Sequence, residues 1–298
     1  MSKDKGQRGS VTVIVLGAMV AIIGLGAIVI DGGALYYERA KLQTAVDAVV
    51  LAGARAIQDG ALAASTEAES AALANGLSLA DMQLSVNVGA GTITASASKH
   101  VGLGLAKVLN HTQAEVGAVA EARVVGISGL QGAAPLGVIW QDFVFGQVYD
   151  VKVGAGDGAG GNYGALALGG TGSANYRDNL RNGYPEWLRL GDVVLTEPGN
   201  MSNPTKLAIE GRIDACQHGC TFDHYTANCP KVLLVPVIDG LPNGRGEVTI
   251  IGFAGFFVDE YTGQGNQNYI RGKFIRSFAT GEVGAAATYG LSMIKLTR

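Results

Sequence analysis

The sequence predicts an α+β protein. An N-terminal transmembrane helix would continue into a helical stalk with a small β-hairpin, helix and strand unit, and a mostly β C-terminal domain would follow. Three observations predict this: residues 11–30 are apolar without a charged side chain, helix-forming residues continue to about position 81, and short apolar runs separated by Gly, Asn and Pro fill the second half. A β-sandwich or a partly closed barrel fits these runs.

Residues 11–30 are predicted to cross a membrane. Twenty helical residues at about 1.5 Å per residue extend about 30 Å, the hydrocarbon thickness of a bilayer. A secretory signal peptide has a shorter apolar region of about 7–15 residues before a small-residue cleavage site. A core helix of a soluble domain is rarely apolar on every face. The membrane span is therefore preferred over both alternatives.

The flanking charges predict the orientation of the span. Lys3, Lys5 and Arg8 precede it, whereas Asp31 and Glu38 follow it. Positive residues close to a span stay in the cytoplasm. We therefore expect residues 1–10 to be a cytoplasmic tail of a single-pass cell-membrane protein, with the C-terminal domain extracytoplasmic.

The rest of the chain divides into three predicted regions. Residues 31–126 form a helical stalk and small α+β module, with helices expected at 34–64, 65–81 and 103–109 and a hairpin over the alternating residues 82–96. Gly53 and Gly60 are the interior breakers of the first of these helices. Residues 127–134 are small and polar and predict a linker. Residues 135–298 form the mostly β domain, with strands expected at 136–140, 147–153, 163–168, 192–195, 232–238, 247–258, 269–278 and 291–296, and a helix at 204–215 capped by Asn203.

Small or apolar residues recur every seven positions along the predicted stalk, at Leu35, Leu42, Val49 and Ala56. The simpler interpretation is a helix packed on its own domain. The alternative is a stalk that also packs against copies of itself or related subunits. Gly17 and Ala21 would supply a small-xxx-small contact of that kind inside the membrane.

The apolar span is accompanied by a set of residues in a particular order: Arg8, Gly9, Asp31, Leu42, Gln43, Asp47 and the run 51–54. With these residues the first fifty or so positions resemble the N-terminal region of the TadG-like proteins of Flp (Tad) pilus assembly, so the stalk and module at 31–126 are expected to be pilin-like. The resemblance implies a single-pass envelope protein with a structural or accessory role, whose partners are the lipid bilayer and Tad/Flp pilus assembly proteins or pilin-like subunits. Pilins cut by a prepilin peptidase carry a glutamate five residues after the cleavage point, and here Val11 or Ile14 stands there, counted from Gly6 or Gly9.

Two acidic residues of this pattern have physical interpretations. Asp31 ends the apolar run, where its carboxylate would stay hydrated at the membrane boundary. Asp47 lies four residues after Gln43, so it either accepts a hydrogen bond from that amide or faces water.

Three cysteines, Cys216, Cys220 and Cys229, lie close together with His218 and His224. A disulfide is preferred, because thiols outside the cytoplasm tend to oxidise. Cys229 would be one partner, with Cys216 or Cys220 as the other. A zinc site and unpaired thiols are the alternatives, although the spacing is not that of a standard zinc finger.

Neither catalysis nor nucleic-acid binding is predicted. The formal charge is −3, which gives no footprint for nucleic acid, and no nucleophile motif accompanies the four histidines. The glycine-rich run 154–161 lacks the Lys-Ser/Thr ending of a phosphate loop, and a hairpin tip is preferred over a calcium site at Asp157 and Asn162. We expect no cofactor.

Two questions remain open for the second half. As an alternative to a structural role, this domain would be an enzyme or a metal-dependent binding module that uses the same anchor. Its aromatic residues would be core or would form an adhesive face: Trp140, Tyr149, Tyr163, Tyr176, Tyr184 and Trp187.

Overall fold

A computed structural model of the chain describes residues 8–141, 143–152, 163–199, 201–226, 228–264, 267–284 and 289–297. The glycine-rich run 154–161 with its neighbour Asn162 lies outside these residues. The fold is α+β, as predicted, with a long N-terminal apolar helix, a following α/β region and two mixed β-sheets. The chain forms two compact units, Met1–Arg123 with Lys295–Arg298, and Val124–Ile294.

The first unit begins with one continuous helix, α1 (Arg8–Ala56). The predicted span and the predicted stalk are therefore parts of the same helix. The glycines within it do not break it, because a glycine in a helix interior costs only about 1 kcal/mol and no proline is present.

A second helix, α2 (Ala61–Ala74), follows a short 3₁₀ turn at Ile57–Asp59. We predicted one helix to residue 64 and another from 65 to 81, and this boundary is wrong. The break falls at Gly60, whose φ of +109° is open to glycine at little cost. Alanines at every fourth position of α2 are fully buried, at Ala64, Ala68 and Ala72, so the helix packs closely on α1.

The predicted hairpin is confirmed as β1 (Met82–Asn87) and β2 (Thr92–Gly102) in antiparallel register. β2 pairs along its whole length with the beginning of β3 (Gln113–Leu130). Ile93 and Ala95 of β2 are fully buried, and the strand packs on α1. The helix expected at 103–109 is a short 3₁₀ turn, Ala106–Leu109.

The second unit holds the remaining elements. Each of the eight apolar runs predicted as a strand contains one. In order these elements are β4 (Leu136–Ile139), β5 (Val148–Lys152), β6 (Tyr163–Ala165), α3 (Ser173–Asn182), β7 (Leu188–Arg189), β8 (Val193–Leu195), α4 (Ser202–Asp214), β9 (Val232–Ile238), β10 (Glu247–Gln264), β11 (Gln267–Ile275), β12 (Ser277–Phe278), β13 (Glu282–Gly284) and β14 (Leu291–Leu296).

One of the two seven-stranded sheets lies in this unit and has the strand order β5-β11-β10-β9-β4-β6, with β8 also paired to β10 and β4 parallel to β9. Helices α3 and α4 pack against each other, and α4 packs on β10. The sequence did not predict α3. The helix α4 begins at Ser202, with Met201 rather than Asn203 at its N-cap, so Pro204 lies within the first turn, where its missing N–H costs nothing.

The segment predicted as a linker, residues 127–134, contains the end of a strand and several buried residues. β3 continues to Leu130, and its last two residues pair with β7. Four apolar residues of the segment are buried, namely Ile127, Leu130, Ala133 and Ala134. One of the glycines that suggested flexibility, Gly129, has a packing role instead, since a Cβ there would lie 2.9 Å from Arg189 Cγ. The functional division into domains stays a prediction.

Candidate functional site

Most of the apolar part of α1 has no packing partner among the described residues of its unit, and only its end lies beside Leu103 and Leu105. It belongs to the only helix of the described chain that is long and apolar enough to cross a membrane, and no part of the apolar stretch is buried. Val13, Val20 and Ile28 are 70%, 71% and 72% exposed. An apolar surface of this extent is unfavourable in water and marks contact with lipid or protein.

Gly17 and Ala21 lie on this exposed part of the helix. No atom lies within 4 Å of the position that a Cβ at Gly17 would occupy. The small-residue face predicted from the sequence is therefore free of contacts within the chain.

Asp31 follows this stretch and is only 6% exposed. Its Oδ1 accepts hydrogen bonds from the backbone N–H groups of Gly104 (2.7 Å) and Leu105 (3.2 Å), and its Oδ2 accepts one from Ala106 (2.6 Å). The expectation of a hydrated boundary carboxylate is therefore wrong. Asp31 attaches the loop between β2 and β3 to α1.

The electrostatics of this contact favour the ionised form of Asp31. The N–H group of Ala106 is the largest cause of a lowered pKa, and the N–H groups of Gly104 and Leu105 add to it. These N–H groups stand at the start of the 3₁₀ turn, where a negative charge is favourable. Lys107 lowers the pKa further.

An apolar groove of about 840 Å³ lies beside this contact. One wall comes from α1 and the other from the loop that Asp31 holds, and its lining includes Ala21, Leu25, Ile28, Leu35, Leu103 and His111. The loop therefore widens the apolar surface at the end of the span.

Farther along α1, Gln43 connects two elements of the first unit. Its Nε2 donates to Asp47 Oδ1 at 2.8 Å and to the carbonyl oxygen of Val119 in β3 at 3.0 Å. Of the two interpretations of Asp47, the structure therefore supports the one in which it accepts a hydrogen bond from Gln43. The stalk residues Leu42 and Val49 are 4% and 0% exposed, so this part of the helix packs on its own unit.

The three cysteines converge in the second unit. Cys216 follows α4, Cys229 precedes β9, and the three Sγ atoms lie within 4.8 Å of one another. The distance between the Sγ atoms of Cys216 and Cys229 is 3.8 Å, and all three thiols are free. Cys220 and Cys229 are 7% and 4% exposed and pack with Phe257 and Ile275.

The thiols differ in their electrostatic environments. The backbone N–H of Cys220 is the main cause of a lowered pKa at Cys216, with a further contribution from the N–H of His218. Burial raises the pKa of Cys229 to about 11. Cys216 is therefore the thiol that deprotonates more readily of the two.

Residues 9–56 match the model of a protein family described as Flp pilus-assembly TadE/G-like. The N-terminal helix is a TadE/G-like segment. The match ends at Ala56, which is also the last residue of α1. Comparisons with curated proteins and with solved structures give no significant match.

The TadE/G-like segment contains the residues quoted for the resemblance, except Arg8, which lies one position before it. Asp31, Gln43 and Asp47 all lie within it, and each makes the hydrogen bonds described above. Sequence reasoning missed the partners of Asp31, since the backbone N–H groups of residues 104–106 carry no side-chain signal. The cysteine cluster lies outside the TadE/G-like segment.

The aromatic residues considered as an adhesive face belong mostly to the core of the second unit. Tyr163 and Tyr176 are 8% and 1% exposed. Trp140 and Tyr149 are partly buried among Phe143 and other rings of one aromatic cluster. Tyr184 is also partly buried, and Trp187 alone of the six is exposed, at 38%. The set does not form a continuous surface.

Proposed function

We propose that this protein is a single-pass, membrane-anchored structural or accessory component of Flp/Tad-type pilus assembly. The observation that carries the proposal is that the TadE/G-like match coincides with a helix whose apolar stretch is not buried in the described part of the chain. The helix anchors the protein in the cell membrane. The C-terminal domain contacts pilus assembly proteins, pilin-like subunits or a surface from the extracytoplasmic side.

The charge distribution supports this orientation. Lys3, Lys5 and Arg8 stand before the span, and positive residues within about 15–20 residues of a span favour the cytoplasmic side. The first acidic residue after the span, Asp31, is held by backbone N–H groups rather than by water. The span can therefore end sharply at this residue, because the protein itself provides the hydrogen bonds of the carboxylate.

The lateral surface of the span supports contacts with other membrane helices. Small residues let two helix backbones approach closely in a bilayer, where packing drives helix association. Gly17 and Ala21 are exposed, and Ala21 also lines the apolar groove that the loop at Leu103 completes. This face fits a helix of a pilin-like subunit or a second copy of the chain.

A pair of C-terminal reporter fusions tests the orientation. Alkaline phosphatase is active only outside the cytoplasm, so we expect an active phosphatase fusion and a dark cytoplasmic fluorescent-protein fusion on the full chain. Replacing Lys3, Lys5 and Arg8 with glutamate should reduce the phosphatase signal, because the charge bias is then removed. A fluorescent fusion combined with an inactive phosphatase would contradict the orientation.

Site-specific photocrosslinking tests the partner. A photoreactive residue at Gly17 of the full chain, expressed in cells that assemble Flp pili, is expected to capture a pilin-like or Tad assembly protein. Met19 is the matched control, because it is exposed in the same membrane segment at 59% but points away from the Gly17 face. Equal capture at both positions, or capture only of proteins unrelated to the pilus, would reject the proposed role.

A further inference from the structure

The spacing of the three cysteine sulfurs matches the geometry of a metal site. Tetrahedral coordination with a zinc–sulfur distance of about 2.3 Å places two sulfur ligands about 3.8 Å apart. Sγ of Cys216 and Sγ of Cys229 are 3.8 Å apart, and Sγ of Cys220 lies within 4.8 Å of both. One edge of the tetrahedron is therefore already present.

A disulfide accounts for only part of this arrangement. It would bring two sulfurs to about 2.05 Å and would leave the third thiol beside the bond without a role. All three sulfurs instead lie within 4.8 Å of one another, although the surrounding side chains are mainly apolar: Phe222, Tyr225, Val232, Phe257 and Ile275.

We propose that Cys216, Cys220 and Cys229 bind one Zn²⁺ ion as thiolates. In the described part of the chain, no other histidine, cysteine or carboxylate joins this cluster, so the fourth ligand position is open to water. As three zinc–sulfur bonds form, three thiol protons pass to solvent, and no oxidant or reductant takes part.

The surroundings can accept the negative charge of the bound site. Three thiolates and one Zn²⁺ carry a net charge of −1. The Lys231 ammonium group donates to the carbonyl oxygen of Cys220 at 3.3 Å and lies 4.7 Å from the Phe257 ring. The positive charge of Lys231 therefore lies close to the cluster and favours negative charge there.

The site would fix the segment between two regular elements. Cys216 lies two residues after the end of α4 at Asp214, and Cys229 lies three residues before the start of β9 at Val232. One ion would thus close the loop that connects them. This inference does not depend on the proposed role in pilus assembly.

Metal analysis of the full chain, purified in detergent with its thiols reduced, tests the proposal. After loading with Zn²⁺ and removal of unbound ion, we expect one zinc per chain. With Co²⁺ we expect the absorption of tetrahedral thiolate coordination. Cys220→Ser should weaken Zn²⁺ binding by at least about tenfold, since it removes one of three ligands. Thr221→Ser, in the same loop, is the control and should bind like the parent protein.

Cys220→Ser also separates the zinc site from the disulfide. A bond between Cys216 and Cys229 does not need Cys220, so that bond would persist in the variant. The proposal is overturned if the reduced parent protein binds no zinc, if Cys220→Ser binds it as tightly, or if protein from native membranes holds this disulfide without zinc. Near-UV circular dichroism checks that the variant is folded, and Cys216→Ala provides a second variant at a less buried position.

Discussion

Replacement of Arg212 by methionine is expected to lower the free energy of unfolding of the second unit by about 3 kcal/mol. The guanidinium is 9% exposed and donates to the carbonyl oxygens of Leu180 (2.6 Å), Pro230 (2.8 Å) and Val232 (3.3 Å). Without it, one buried acceptor at the end of α3 and two part-buried acceptors at the start of β9 lose this donor, at about 1–3 kcal/mol each.

An opposing effect limits the loss. Burial lowers the pKa of Arg212 to about 10, so burying its charge costs about 3 kcal/mol, which methionine would recover. Leaving the three carbonyl groups without hydrogen bonds costs about 6 kcal/mol in total. This cost is larger than the gain from removing the buried charge.

Denaturant unfolding followed by tryptophan fluorescence measures the effect. Both tryptophans of the chain, Trp140 and Trp187, belong to the second unit. Arg212→Lys keeps the charge but cannot reach three carbonyl groups, so an intermediate loss is expected. Arg177→Met is the control, because Arg177 is exposed and pairs with its sequence neighbour Asp178, and a change below about 0.5 kcal/mol is expected. An unchanged midpoint for Arg212→Met would contradict the proposed importance of these hydrogen bonds.

Asp31→Asn is expected to release the loop from α1. A carboxamide can accept fewer of the three hydrogen bonds, and its NH₂ group would face backbone donors. We therefore expect hydrogen exchange at Gly104, Leu105 and Ala106 to accelerate by at least about tenfold. Asp59→Asn, an exposed carboxylate of the same unit, should leave this exchange unchanged. Equal protection in Asp31→Asn and the parent protein would contradict the anchoring role of the carboxylate.

The same contact should depend on pH. The pKa of Asp31 is lowered in the folded protein, mainly by the N–H of Ala106. The stabilisation is therefore fully present above the ordinary carboxyl pKa and is lost as the pH falls through the lowered folded value. Chemical shifts of the three amides should report this loss at acid pH in the parent protein. Asp31→Asn should not show it.

Local patterns predicted much of the first unit. An uncharged apolar run predicts a helix that leaves its side chains exposed, and alternation predicts a hairpin, because both properties depend on neighbouring residues. The hairpin formed as expected, with Val86 opposite Ile93. The end of the stalk was misplaced, since both Gly53 and Gly60 looked like breaks. Gly53 instead lies inside α1, where its missing side chain lets α2 approach, with Ala64 O 2.9 Å from a Cβ built there.

The second unit shows where local patterns fail. Helix α3 contains few good helix formers, and only Tyr176 and Leu180 are spaced for burial. Its asparagines are held by the carbonyl oxygen of Leu168, to which Asn175 and Asn179 both donate at 2.8 Å. These bonds depend on a turn that sequence periodicity does not describe. The sequence likewise did not predict the hydrogen bonds of Arg212, because their acceptors are backbone carbonyl oxygens.

The sequence alone determined the apolar span, its charged flank, the strand runs and the TadE/G-like pattern, since each follows from the order of neighbouring residues. Only the tertiary structure decided that Asp31 binds a loop more than seventy residues away, that the apolar residues within 127–134 are buried, and that three cysteine sulfurs lie within 4.8 Å of one another. The physical reason is that these features depend on which distant segments meet when the core packs. Local propensity does not specify that choice.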